Sequence, residues 1–141
     1  MKRFLSLAFT ILLALTAAAQ SVFDGDYTNE ELKINVHLDL TAENLTVPGL
    51  EFLGPVGGYI DGRGIYGNWM LISYKVENEK TVTRRFSNEL GSDSQNVKMT
   101  QIDGTTYHFK TTGGNALKKA VNRKLVKIAS EFDLKKDNSD K

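Results

Sequence analysis

A strict two-residue alternation is the feature that most limits how this chain can fold. Between residues 32 and 40, every second residue is apolar and every residue between is polar: Leu32, Ile34, Val36, Leu38 and Leu40 form the apolar set. Successive side chains of an extended strand point to opposite faces, whereas a helix would scatter this set around its axis. The pattern therefore predicts a strand with one buried face and one wet face, and we expect the apolar set to line the core.

The chain that follows predicts further strands joined by short turns. Its longest run of strand-favouring residues spans 64–76 and holds the only tryptophan, Trp69. Asp103-Gly104 lies between two alternating runs, which is the strongest short-range signal of a β-hairpin. Roughly eight strands without βαβ alternation predict an all-β fold, namely a single antiparallel β-barrel or sandwich.

The C-terminal part allows two interpretations. A helical stripe fits five apolar residues: Leu117, Val121, Leu125, Ile128 and Phe132. Against a helix, Lys118 and Lys119 would lie at the positive end of its macrodipole, and the turn-forming residues 112–115 equally predict another strand. Helix and strand both stay open for 116–132, so the fold class includes one C-terminal helix as an option. Residues 133–141 are polar and charged, which predicts a flexible tail.

The first 19 residues have the pattern of a signal peptide. A basic head, Lys2-Arg3, precedes a short apolar run, and 17–19 are the small residues typical of a cleavage site. We expect cleavage before Gln20, export to the periplasm or the extracellular space, and no membrane span in the part that remains. A β-barrel-like domain would then cover 20–132. The sequence has no cysteine, so this exported domain has to be held by its core alone.

Charge is unevenly distributed along the part that follows the signal peptide. Residues 20–116 carry 8 basic and 13 acidic side chains, whereas 117–141 carry 8 basic and 4 acidic ones. Nucleic-acid binding usually needs a basic surface with interleaved aromatic residues, and Phe132 is the only aromatic residue of the basic end. We therefore expect no nucleic-acid partner, and a basic end that either is solvated or contacts a protein.

No group of residues in the sequence predicts catalysis, a metal site or a cofactor. The two histidines, His37 and His108, both lie on the polar side of their predicted strands, where we expect them to face solvent. A metal site needs three or four converging ligands, and nothing in the spacing brings these histidines together. The sequence therefore predicts a protein that is not an enzyme.

Gly67-Asn68-Trp69 resembles the G-x-W strand of lipocalin-like (calycin) barrels, in which the tryptophan plugs one end of the barrel. The chain length and the order of hairpins are similar to the same superfamily. Lipocalins carry the motif on their first strand, whereas here at least two predicted strands precede it. The resemblance implies a closed barrel that holds a small apolar ligand, in an exported binding protein.

One charged residue shares a strand face with apolar neighbours. Arg84 lies between Val82 and Phe86 on that face. If the face is interior, the guanidinium needs an acidic partner or an anionic ligand; the alternatives are an outward face or a side chain that reaches the barrel rim. Apolar walls would come from the neighbouring strand, which gives a predicted ligand site of five residues: Arg84, Met70, Ile72, Tyr74 and Phe86.

Two functions of different class are consistent with these patterns. The first is a non-enzymatic binding protein for a small apolar or amphipathic molecule. The second is a protein-interaction module, such as an inhibitor or an accessory of an envelope assembly, with a filled barrel interior. The size of the interior distinguishes them, because a ligand of useful size needs a cavity of about 300 Å³ or more.

Overall fold

A computed structural model describes residues 22–137 and shows an all-β protein. Its strands are β1 (Gly25–Asn29), β2 (Ile34–Leu38), β3 (Gly58–Asp61), β4 (Trp69–Asn78), β5 (Thr81–Asn88), β6 (Ser94–Gln101), β7 (Thr106–Thr112), β8 (Lys118–Val121), β9 (Lys124–Lys127) and β10 (Glu131–Lys136). One turn of 3-10 helix spans Glu51–Leu53. Within the described part of the chain, no helix has the length and apolar character needed to cross a bilayer. The predicted signal peptide lies outside the described residues.

Eight of the strands close into an antiparallel barrel. The first seven follow one another around the wall in chain order, and β10 lies between β7 and β1 and closes the ring. Closure gives each barrel strand a partner on both sides, although β3 pairs with β4 only at Tyr59–Met70 and Ile60–Trp69. The two remaining strands, β8 and β9, pair with each other in a separate two-stranded sheet.

The apolar set of the opening alternation lines the core, as predicted. Leu32 is partly buried and packs against the core, and the other four are buried: Ile34, Val36, Leu38 and Leu40. Large aromatic side chains fill much of the remaining interior: Phe23, Tyr27, Phe86, Tyr107, Phe109 and Phe132. An eight-stranded barrel is just wide enough to be filled by side chains or to hold one small ligand, so these aromatics decide how much room is left.

Trp69 is 4% exposed and begins β4, so the prediction of a buried tryptophan near a strand end is confirmed. Gly67 precedes it with φ +79°, a left-handed conformation that a side chain would strain. We expect a blue-shifted fluorescence maximum and slow quenching by iodide, because the indole is removed from water. Emission at the wavelength of free indole, with full iodide access, would contradict this placement.

The C-terminal region is β-structure, so the helical interpretation of 116–132 is wrong. Asn122 and Arg123 have φ of 51° and 68°, which makes the two-residue turn that joins β8 to β9. The predicted tail is also wrong at 133–136, because these residues belong to the strand that closes the barrel. Phe132 and Leu134 are buried there between exposed charged neighbours. The charged residues of this stretch alternate with the two buried ones, a strand pattern that was too short to be recognised among so many charges.

Candidate ligand site

The interior face of β5 carries a charge. Val82 and Phe86 are fully buried, and Arg84 between them is 1% exposed, so the face predicted for these three residues is the inner one. Arg84 pairs with Tyr74 on β4 and with Val97 on β6, which places it within the barrel wall and away from its ends. Because side chains alternate along β5, the guanidinium of Arg84 points into the core together with Val82 and Phe86.

The guanidinium of Arg84 lacks most of the hydrogen-bond partners that a buried charge needs. Its Nη2 contacts the sulfur of Met99, and the Phe86 ring centre lies 6.0 Å from its Cζ, at the outer limit of a cation–π contact. Nε and Nη1 are buried without a hydrogen-bond partner, and these two atoms carry three of the five N–H groups of the side chain. None of the ion pairs among residues 22–137 involves Arg84.

Burial disfavours the charged form of Arg84. It lowers the pKa of the guanidinium to about 10, and the neighbouring Tyr27 hydroxyl acts weakly in the opposite direction. Even at that pKa the side chain is positively charged at neutral pH. Burial, followed by the proximity of Tyr107, raises the pKa of Tyr27 above its usual range, so this phenol stays neutral and offers no counter-charge. Among residues 22–137, Arg84 is therefore a buried cation without a paired anion.

Two of the predicted apolar walls lie on the wrong face. Ile72 is 55% exposed, and Met70 pairs with Tyr59 on the outer face of the barrel. The reason is a bulge: β4 pairs Leu71 with Phe86 but Ser73 with Arg85, which leaves Ile72 as an extra residue. One inserted residue reverses the alternation along a strand.

The inward side of β4 is therefore made by residues on both sides of the bulge. Leu71 lies before it, and Tyr74 and Val76 lie after it; all three are partly buried and pack against the core. Of the five predicted site residues, the structure thus brings Arg84, Phe86 and Tyr74 to the interior and leaves Met70 and Ile72 out.

The sequence analysis missed Val22 and Phe23, which pack against the core from the N-terminal side. Phe23 is fully buried, and its carbonyl oxygen accepts a hydrogen bond of 2.8 Å from the Tyr27 hydroxyl. The carbonyl oxygen of Val22 accepts hydrogen bonds from the Tyr107 hydroxyl at 2.9 Å and from the Lys136 ammonium at 3.0 Å. This segment, 22–24, is tied to the barrel interior by these contacts. Its sequence shows no periodicity that would have predicted this role.

A pocket of about 490 Å³ opens between the start of β4 and the β8–β9 hairpin. Its apolar lining includes Trp69, Tyr66 and Leu125, and its charged lining includes Glu89 and Lys118. The Glu89 carboxylate already accepts hydrogen bonds from Asn68, at 2.9 Å from the backbone N–H and 3.2 Å from the side-chain amide. We name this feature the mouth pocket. Arg84 does not line it.

His37 is held between two carboxylates on the outer face of the barrel. Its Nδ1 lies 2.8 Å from Oδ1 of Asp26, and its Nε2 lies 3.2 Å from Oδ1 of Asp61. A neutral imidazole has one N–H, so both contacts are hydrogen bonds only in the protonated form. His108 lies 2.8 Å from Asp133 in the same manner. Both histidines are on the outer faces as predicted, but they are paired with carboxylates and do not point freely into solvent.

Comparison of the chain with protein-family models, curated proteins and solved structures finds no match. The closed eight-stranded antiparallel barrel therefore defines its class.

Proposed function

We propose that the protein is an exported, non-enzymatic binding protein of lipocalin-like type, which holds an amphiphilic small molecule with an acidic head group inside the barrel. One observation carries the proposal: Arg84 is 1% exposed and has two unpartnered nitrogen atoms in a core without a paired carboxylate. An uncompensated buried charge costs several kcal/mol, so a site that keeps one is favoured where a bound anion balances it.

The ligand chemistry follows from the surroundings of Arg84. A guanidinium binds carboxylate or phosphate oxygens with short, charge-assisted hydrogen bonds, and a low dielectric strengthens the pairing. Around it, Val82, Phe86 and Val97 are fully buried and apolar. A head group with an attached hydrocarbon chain satisfies both features, whereas a free inorganic anion satisfies only the first.

Room for the hydrocarbon chain has to come from movement. Phe23 packs edge-on against Tyr107 at a ring distance of 5.9 Å, and Tyr107 packs in the same way against Tyr27 at 4.9 Å. Tyr27 also lies near Arg84. The segment 22–24 precedes the first strand, so it can leave the interior without breaking a strand pair. Withdrawal of Phe23 would open space in the interior beside Tyr107 and Tyr27, and Tyr27 lies near Arg84.

The experiment is calorimetric titration of the purified protein with dodecanoate, and with dodecanol as an uncharged probe of equal chain length. We expect dodecanoate to bind and dodecanol to bind much more weakly, because only the carboxylate neutralises Arg84. Arg84→Met should weaken dodecanoate binding by about 30-fold or more, since removal of one partner of a buried charge pair costs 2 kcal/mol or above.

Arg85→Met is the matched control, because Arg85 lies on the outer face of the same strand and donates a hydrogen bond of 3.0 Å to Ser94. Its affinity for dodecanoate should equal that of the wild type. Equal affinity of the Arg84 and Arg85 variants, or equal binding of acid and alcohol, would refute the proposed site.

The second candidate function is a protein-interaction module with a filled interior. The observation that favours it is the number of large side chains already inside: twelve of them, Arg84 included, are less than 2% exposed. Failure of the wild type to bind any probe in the titration, together with a partner chain in native mass spectrometry of protein purified from its source, would favour this function.

A further inference from the structure

The β8–β9 hairpin carries an unbalanced charge on an exposed apolar surface. Residues 117–128 include four lysines and one arginine and no acidic residue. Three apolar side chains of the hairpin, Val121, Leu125 and Val126, are 40%, 51% and 44% exposed. Apolar side chains that alternate with cations are typical of an element that meets an anionic, partly apolar surface.

The base of the hairpin is fixed to the barrel. Leu117 and Ile128 flank the two strands and are buried in the core. The buried side chain of Gln95 donates to the carbonyl oxygen of Gly114 at 2.9 Å and accepts from the backbone N–H of Ala116 at 2.5 Å. The hairpin therefore projects from a firm base, and its exposed residues are presented without a folding step.

The two faces of the hairpin differ in what lies opposite them. The pairs Lys119–Val126 and Val121–Lys124 place two lysines and two valines on one face, which we name the outer hairpin face. The cations and the apolar groups alternate there at cross-strand distance.

The other face looks toward the barrel mouth. Lys118 and Leu125 belong to it and line the mouth pocket together with Glu89 and Asp93. The carboxylates of that pocket would repel an anionic surface. The outer hairpin face is turned away from them, so it is the face suited to anionic binding.

The turn at the hairpin tip has a charged residue at a position where the backbone conformation favours glycine. Asn122 and Arg123 both have positive φ, where Asn-Gly is the preferred pair. A bulky residue in a left-handed conformation is strained, so a glycine at 123 would suit the backbone better. The chain instead places a fifth cation at the most projecting point of the hairpin.

We propose that the outer hairpin face docks on a lipid bilayer that contains anionic phospholipid. Lysine is depleted at protein–protein interfaces, where aromatic residues and arginine are enriched, and 117–128 holds four lysines and no aromatic residue. Lysine stems can lie beside Val121 and Val126 among the head groups while the ammonium groups reach the phosphates. This inference rests on the hairpin alone and does not depend on a ligand at Arg84.

The test is co-sedimentation of the purified protein with phosphatidylcholine vesicles that contain about 30% phosphatidylglycerol. We expect binding to these vesicles at about 50 mM salt, loss of binding at about 500 mM salt, and none to phosphatidylcholine alone, because the attraction is electrostatic and screened. Lys119→Gln with Lys124→Gln should lower the partition constant about 30-fold, at roughly fivefold for each cation.

The matched control is Lys98→Gln with Lys110→Gln, since these two exposed lysines face each other on the outer barrel wall. Its partition constant should stay within about threefold of the wild type, because these charges lie on the wall and not on the hairpin.

Arg123→Gly provides a variant that cannot fail by unfolding, because it installs the preferred Asn-Gly turn. It should weaken vesicle binding about fivefold while leaving the melting temperature unchanged or higher. Equal losses in the hairpin and wall double variants, or no binding of the wild type to anionic vesicles, would overturn the proposal. The latter result would assign the basic hairpin to an acidic protein partner instead.

Discussion

Val36→Asp is expected to abolish folding of the barrel. Val36 is fully buried on β2, where it lies between Tyr27 of β1 and Ile60 of β3, both of which are also fully buried. A carboxylate there would replace an apolar side chain between two apolar neighbours, and its burial is opposed by several kcal/mol. Domains of this size are stable by about 5–15 kcal/mol, so we expect a loss of 4 kcal/mol or more, read as a large fall in the midpoint of urea unfolding or as loss of the folded circular dichroism signal.

Ile72→Asp is the control for this prediction. It makes the same kind of exchange, a β-branched aliphatic residue for a carboxylate, at the bulge of β4 where the side chain is 55% exposed. The stability should change by no more than about 0.5 kcal/mol. Equal unfolding midpoints for the two variants would show that the inward register of β2 is wrong.

His37→Asp, the neighbouring polar position on β2, would be a poor control. Sequence alternation alone suggests that it is nearly silent, since His37 is on the outer face. The structure places this ring between Asp26 and Asp61, so the substitution would gather a third carboxylate beside two others. The face on which a residue lies can be predicted from the two-residue period of its strand. Its neighbours on adjacent strands depend on the register of strand pairing, which the period does not give.

The strands that could be predicted from the sequence are those with unbroken alternation. β2, β5, β6 and β7 each keep a period of two, so the residues that share a face could be identified, and with them the set Val82, Arg84 and Phe86; which way that face points stayed open. Side chains of β4 alternate regularly between the two faces up to Leu71, and the extra residue Ile72 then shifts the alternation by one position. A bulge has no sequence signature in Gly64–Val76, so the prediction placed Met70 and Ile72 on the same face as Tyr74, among the walls of the ligand site.

The C-terminal region was misread because two periods coincide there. Leu117, Val121, Leu125 and Ile128 have helical spacing, yet the first and last are buried at the hairpin base while the middle two are exposed on its strands. Such a spacing also arises in a hairpin whose two ends are buried in a core and whose strands project from it. The positive φ of Asn122 and Arg123 decides the outcome, and a non-glycine residue at the second position gives no warning of it.

The surroundings of Arg84 could not be predicted for a different reason. Met99 lies on β6, next to the strand of Arg84, whereas Tyr27 lies on β1, and only barrel closure brings Tyr27 near Arg84. From the sequence we could infer that an inward-pointing Arg84 requires an anion. The sequence could not show whether a carboxylate of the chain meets that condition.

Arg84→Met is expected to stabilise the protein in the absence of ligand. The substitution removes a buried charge and supplies an unbranched apolar side chain that can follow the space left by the arginine stem. We expect the free energy of unfolding to rise by about 1–4 kcal/mol, measured by urea denaturation at unchanged m value. Arg85→Met, on the exposed face, should change it by no more than about 0.5 kcal/mol.

The pH dependence of this difference follows from the lowered pKa of Arg84. The folded pKa is about 10, well below that of an ordinary guanidinium. Below pH 10 the side chain is charged in both the folded and the unfolded state, so the cost of burying it is fully present and does not vary. Above pH 10 the guanidinium binds more protons in the unfolded state, so the contribution of Arg84 to the stability of the wild type becomes less unfavourable as pH rises. The advantage of Arg84→Met should therefore be constant from pH 6 to about pH 9 and shrink above pH 10.

An acidic amphiphile should remove most or all of the stability advantage of Arg84→Met over the wild type. A ligand that binds only the folded protein adds about 2.7 kcal/mol at a concentration 100 times its dissociation constant. The wild type gains this amount with dodecanoate, because the carboxylate neutralises Arg84, whereas Arg84→Met gains little. Arg84→Met would thus be the more stable protein alone and would lose most or all of that advantage with saturating dodecanoate, while dodecanol would leave the order unchanged. A destabilised Arg84→Met in the absence of ligand would mean that the guanidinium is already compensated in the folded protein. Unfolding midpoints of the wild type that do not respond to dodecanoate would mean that its compensation does not come from an amphiphile of this kind.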